Sequence, residues 1–135
     1  MKLILFLDDR GGMLFNRRRQ SQDRKAREFI LSLTKDHALY MNAYSLKQFE
    51  TKEGILLSET PQRDAGKDDY VLIEDLTPTL TDVNEAVLIL WNRHYPSDRR
   101  FDRASLEKEG FSLVDSLDFA GHSHEKITVL TYRRT

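Results

Sequence analysis

The sequence predicts a mixed α/β fold: a three-layer arrangement of one mixed β-sheet with flanking helices, ending in a C-terminal antiparallel hairpin. Three observations predict it. Short continuous apolar runs at Leu3–Leu7, Tyr70–Ile73 and Ala86–Trp91 suit strands buried on both faces of a sheet. Ala26, Phe29, Ile30 and Leu33 recur at helical spacing after the first run, which supplies an apolar stripe to cover one of those faces. Phe111–Phe119 and Lys126–Tyr132 alternate apolar and polar residues on either side of AGHSHE, the pattern of an antiparallel hairpin with one solvated face. Strands alternating with helices and then a strand pair define the class.

The elements follow in order. Leu3–Leu7 ends at Asp8-Asp9, and Gly11-Gly12 then allows a turn that other residues resist. Ser21 is the expected N-cap of the first helix, with Asp23 in its first turn, where the helix dipole favours an acid. Arg24 and Glu28 lie four apart and are expected to pair. Ala38–Met41 is a second strand, Leu46 and Phe49 mark a short helix, and Gly54–Ser58 is a third strand. Thr60–Asp69 reads as an exposed loop, and Tyr70–Ile73 is the fourth strand, ending in Glu74-Asp75. Leu76, Leu80 and Val83 fit one or two helical turns before the fifth strand, Ala86–Trp91. NRHYPSDRRFDR is polar, with Pro96 barring regular structure.

A chain of 135 residues matches a single domain, 1–135, with one core. Charged residues make up 32%, yet the net charge is only −1, which excludes a wholly basic nucleic-acid binder and leaves room for a local basic patch. There is no cysteine, hence no disulfide or thiolate metal site. The apolar run at the N-terminus is too short for a signal peptide or a membrane span, so a cytoplasmic protein without membrane association is expected.

Several strings resemble dihydrofolate reductase, in the family's order and over most of the chain. They are the first strand with DDRGGMLFN, the helix ending SLTK, ALYMNAYSLKQF, SDRRF and the terminal HSHEKITVLTYRR. The resemblance implies that family's fold, with a cleft between Asp8–Arg19 and Asn42–Ser45. The candidate ligand-binding residues on its two sides are Asp9, Asn16, Arg17, Arg18, Arg19, Asn42, Tyr44 and Ser45, with Arg17–Arg19 standing where the family has apolar residues and suiting phosphate or carboxylate instead. The resemblance also implies a catalytic carboxylate near the helix start. Ala26 stands at that place, leaving Asp23 or Glu28 as substitutes. The family's Met-Gly-Arg-Lys-Thr becomes Met41-Asn42-Ala43-Tyr44-Ser45, and its Gly-Gly under the cofactor's pyrophosphate becomes Glu74-Asp75. Two carboxylates there oppose NADPH in the family's usual pose, so the cofactor is left unknown.

The leading functional expectation is therefore a divergent dihydrofolate reductase-like protein without ordinary folate reduction, binding a small anionic or nucleotide-like ligand beside Arg17–Arg19. A divergent NADPH-dependent oxidoreductase is the enzymatic alternative. RNA binding or processing is the third reading, through Arg17–Arg27 and a second basic segment, Asn92–Arg103, with Trp91 and Tyr95 nearby. No metal ligand set is expected. His122 and His124 read as polar residues of a hairpin loop, and a homodimer is left open.

Overall fold

The computed structural model describes residues 1–135. Its main body is a seven-stranded sheet in which five strands are parallel. These are β1 (Lys2–Leu7), β4 (Leu39–Met41), β5 (Ile55–Leu57), β6 (Tyr70–Leu72) and β7 (Glu85–Leu90). The antiparallel hairpin β9 (Phe111–Phe119) and β10 (Ile127–Arg134) extends it, giving the order β5-β4-β6-β1-β7-β10-β9. Beside it lies a three-stranded sheet of β2 (Gly12–Phe15), β3 (Arg18–Arg19) and β8 (Arg99–Arg100).

The central position of β1 follows from its composition. Strand β1 pairs with β6 on one side and β7 on the other, and every residue after Lys2 is buried. Period-two alternation divides it between two cores. Leu3, Leu5 and Leu7 pack with Met13, Leu14, Leu88, Phe101 and Leu106 on one face. Ile4 and Phe6 pack with Ala26, Ile30, Val87, Ile89 and Trp91 on the other, beneath helix α1 (Arg24–Leu33).

Several local expectations are corrected. The N-cap of α1 is Asp23, two residues after Ser21, because its carboxylate accepts from the backbone N–H groups of Lys25 and Ala26. Glu28 pairs with Lys25 at 3.8 Å, and Arg24 turns toward His122. Within the expected loop 60–69, Pro61 at the first helical position starts a single turn, α3 (Pro61–Asp64). No helix forms over 76–83. Pro78 interrupts that stretch, and Thr79 is tied to Gln62 by two hydrogen bonds. Residues after Pro96 form β8, and α4 (Ala104–Lys108) follows, with Leu106 buried. Asn42 caps the short helix α2 (Ala43–Leu46).

The terminal hairpin is present, but β9 lacks an apolar inner face. It is the edge strand, and Leu113, Val114 and Leu117 are all exposed. A register shift opposite Thr131/Tyr132 leaves Val114 as an extra residue, and that bulge breaks the alternation. No helix is long and apolar enough to cross a membrane.

Truncating Leu88→Ala at the centre of the sheet is expected to cost about 3 kcal/mol, because it removes transfer free energy and leaves a cavity. Leu113→Ser on the edge strand is expected to stay within about 0.5 kcal/mol. Urea unfolding midpoints at constant slope measure both.

Candidate functional site

The parallel strands all end on one edge of the sheet, where α/β proteins place their ligands. Strand β1 ends at Asp8, which is 3% exposed. Its carboxylate accepts from the N–H groups of Gly12 (2.7 Å), Arg10 (2.9 Å) and Tyr95 (3.1 Å), and from Gln20 Nε2 (3.3 Å). Burial pushes the Asp8 carboxyl up, but these donors outweigh it and hold the group below its ordinary value. Gly11 is required in this turn. Its φ is +78°, and a Cβ there would lie 2.4 Å from the Phe101 carbonyl oxygen. Asp9 is exposed, and its backbone N–H donates to Arg93 O.

Arg19 ties β3 to α2 and to the end of β6. Its guanidinium reaches Glu74 Oε2 at 3.3 Å, donates to Tyr44 O at 2.8 Å and lies 4.7 Å over the Tyr44 ring. Gln48 Nε2 donates to the other Glu74 oxygen at 2.8 Å. Glu74 is 4% exposed, and burial raises its pKa against the pull of Arg19. Alongside, Asn42 Nδ2 donates to Asp75 at 3.0 Å while Asn42 Oδ1 accepts from Ser45 N–H at 3.0 Å. The Tyr44 hydroxyl and Ser45 Oγ are buried without a partner. Four of the expected ligand residues, Arg19, Asn42, Tyr44 and Ser45, thus come together beside two carboxylates of this chain, Arg19 at Glu74 and Asn42 at Asp75.

Asp23 forms a second buried centre. One of its oxygens accepts from Lys25, Ala26 and His122 N–H. The other accepts from the N–H groups of Ser123 and His124, from Ser123 Oγ and from His124 Nδ1 at 2.9 Å. The start of α1 is thereby clasped to the β9–β10 loop. Gly121 permits the approach, because a Cβ there would sit 2.8 Å from Asp23 Oδ2. Burial alone would raise the Asp23 carboxyl, but the donors from His122, His124, Ser123 and Ala26 hold it far below the usual carboxylate range. With Nδ1 bound to Asp23, His124 Nε2 faces the hydroxyls of Tyr95 (2.9 Å) and Ser21 (3.0 Å). The imidazole stacks on Trp91, which stacks on Phe6. An Asp–His–hydroxyl chain is the arrangement that activates a hydroxyl for proton transfer; here the imidazole is 3% exposed and walled in by aromatic rings. Glu28 lies outside this centre, exposed beside Lys25. The sequence reading of His124 as loop polarity is corrected, since a residue 101 positions away buries it.

The third feature is the β2–β3 hairpin. Asn16 and Arg17 have φ of 51° and 61°, and Phe15 pairs with Arg18, which defines a two-residue turn of the I′ kind. Arg17 and Arg18 are exposed and form no ion pair, unlike Arg19. Asn16 N–H donates to Asp98 at 2.9 Å. A shallow pocket of about 280 Å³ opens beside the hairpin, lined by Phe15, Asn16, Arg18, Arg19, Gln20, Tyr95 and Pro96. Sequence reasoning missed Phe15 as a lining residue, because it reads as part of an apolar strand. Its exposure of 47% comes from its place at the hairpin tip.

Neither a scan against protein-family models nor a search of curated proteins finds a match. Among solved structures, dihydrofolate reductase from Enterococcus faecalis, complexed with NADP(H) and RAB-propyl, is similar in fold. The TM-score is 0.67 at 11% identity, over 99% of this chain and 95% of that one. The chain is therefore an α/β protein with the dihydrofolate reductase fold. In sequence it is a divergent version of that fold.

Two outcomes follow from the buried carboxylates. Asp8 and Asp23 have lowered pKa values in the folded chain, so the unfolded chain binds more protons as the medium turns acidic. Their stabilisation is fully present above about pH 4 and is lost as pH falls below it. Asp23→Asn is expected to flatten the acid limb of stability against pH, measured by urea midpoints from neutral to acidic buffer. Arg19→Ala leaves Glu74 buried without its cation and is expected to cost about 3 kcal/mol, whereas Arg19→Met with Glu74→Leu recovers most of that loss.

Proposed function

We propose that this protein binds a small anionic or nucleotide-like ligand at the β2–β3 hairpin pocket and does not carry out ordinary folate reduction. The observation that carries the reading is the contrast among neighbouring arginines. Arg19 is spent on Glu74, while Arg18 stands free beside Phe15 and Tyr95. An unpaired guanidinium next to aromatic faces offers a phosphate partner and a stacking surface together.

The same geometry supports the absence of the usual chemistry. The resemblance leads one to expect a Gly-Gly pair where the pyrophosphate of NADPH would rest, but a buried Glu74 and a half-buried Asp75 stand after β6. A pyrophosphate brought there would meet two carboxylates and would have to displace Arg19, so these residues do not fit the cofactor. Asp23, the candidate acid, has its oxygens occupied by the hairpin loop and its own helix. An open carboxylate is what protonating a substrate would require.

Thermal shift with inorganic pyrophosphate and with ADP is expected to stabilise the protein, and Arg18→Ala is expected to abolish the shift while leaving the unliganded melting temperature within a degree or so. Steady oxidation of NADPH in the presence of dihydrofolate, lost in Asp23→Ala, would favour the oxidoreductase reading instead.

A further inference from the structure

The arginines beside the pocket extend well past it. Arg10, Arg17, Arg18, Arg93, Arg99 and Arg100 are all exposed, and none forms an ion pair. They come from separate loops that the small sheet gathers at one end of the molecule. Phe15 pairs with Arg18, Leu14 with Arg99 and Gly12 with Arg100, while Asp9 N–H holds the Arg93 carbonyl. The acids in these loops are fewer. They are buried Asp8, which takes Arg10, Gly12 and Tyr95 N–H, Asp9, Asp98, which takes Asn16 N–H, and Asp102, which takes Ala104 N–H. A chain with a net charge of −1 thus gathers positive charge at one end, with Arg18 beside Phe15 on one side of the small sheet and Arg99 with Leu14 on the other.

The backbone adds an independent observation. Arg17 is the second central residue of the I′ turn, at φ 61°, a position that favours glycine. Arginine is held there against its backbone preference, at the tip of the hairpin and with no partner in the chain. Strain of this kind collects where a side chain is needed for recognition.

We infer that this end of the small sheet binds single-stranded nucleic acid, its backbone passing around the ribbon. The reading rests on the anion-binding pocket but names a larger ligand. Outer strands of a three-stranded ribbon lie about 10 Å apart, a span that one phosphate or pyrophosphate does not cover. A polyanion covers it, pairing successive phosphates with the arginines while a base stacks on exposed Phe15. Unpaired bases are what that ring requires, so a duplex is the poorer ligand.

The test is fluorescence anisotropy of the full chain with labelled single-stranded RNA and DNA oligomers about twelve nucleotides long and with a duplex of the same length. Affinity for a single strand is expected to fall roughly 50-fold between about 50 and about 200 mM salt, as for about four engaged phosphates. Arg17→Gly is expected to raise or preserve the melting temperature while weakening binding several-fold and reducing the salt slope by about 0.7. Phe15→Ala is expected to weaken binding roughly tenfold with little change in that slope. Arg63→Ala, on a distant helix, serves as the control and is expected to bind as the parent does. A preference for RNA or for DNA names the source, and either supports the inference. Stronger binding of the duplex, no binding at low salt, or binding indifferent to Arg17→Gly and Phe15→Ala overturns it. Pyrophosphate or ADP stabilisation without oligomer binding leaves the pocket reading standing and removes this one alone.

Discussion

The structure at the working edge of the sheet depends on one carboxylate. Asp8 ends the central strand, and its oxygens take hydrogen bonds from Arg10, Gly12, Gln20 and Tyr95. Those donors belong to the turn after β1, to the segment after β3 and to the loop after β7. A buried carboxylate is costly unless its lone pairs are filled, and here three segments distant in sequence fill them. The hairpin, the pocket and the arginines are positioned as a consequence. The first acid of the Asp-Asp pair is thus an organiser of loops, and the second faces solvent.

The three buried acids of this edge show how one residue type is put to different uses. Asp23 is satisfied almost wholly by backbone N–H groups and one imidazole, which keeps it ionised and makes it a rigid clasp between α1 and the last hairpin. Glu74 has a guanidinium and an amide for partners, and burial presses against its charge. Removing one member of such a pair is expensive, while replacing both with apolar groups need not be. Glu74 and Arg19 are best understood together, as a partly buried ion pair that ties β3 to the end of β6. Arg17 and Arg18, next to Arg19 in sequence, form no ion pair.

Much of this was legible beforehand, for identifiable reasons. Leu3–Leu7 and Ala86–Trp91 read as buried strands because continuous apolar runs have few other uses at that length. Gly11 read as a turn because its conformation is costly for other residues. The spacing of Leu76, Leu80 and Val83 suggests a helix that does not form, since three apolar residues do not outweigh Pro78 and a loop pinned by Gln62. The hairpin β2–β3 went unread because its strands are short and its turn carries Asn-Arg in place of Asn-Gly. His124 was placed in a loop, where it does lie, but its burial depends on Asp23 arriving from the other end of the chain.

The sequence by itself determined the fold class, the burial of β1 on both faces, the terminal hairpin and the arginine content of the loops, because these rest on local patterning and composition. Tertiary structure alone decided which charges are paired. Arg17, Arg18 and Arg19 are adjacent and chemically identical, yet the strand register turns Arg19 inward to Glu74 and leaves the other two in solvent. Side-chain direction in a strand alternates at each residue, so one position of register separates a structural ion pair from a cation free to meet a ligand.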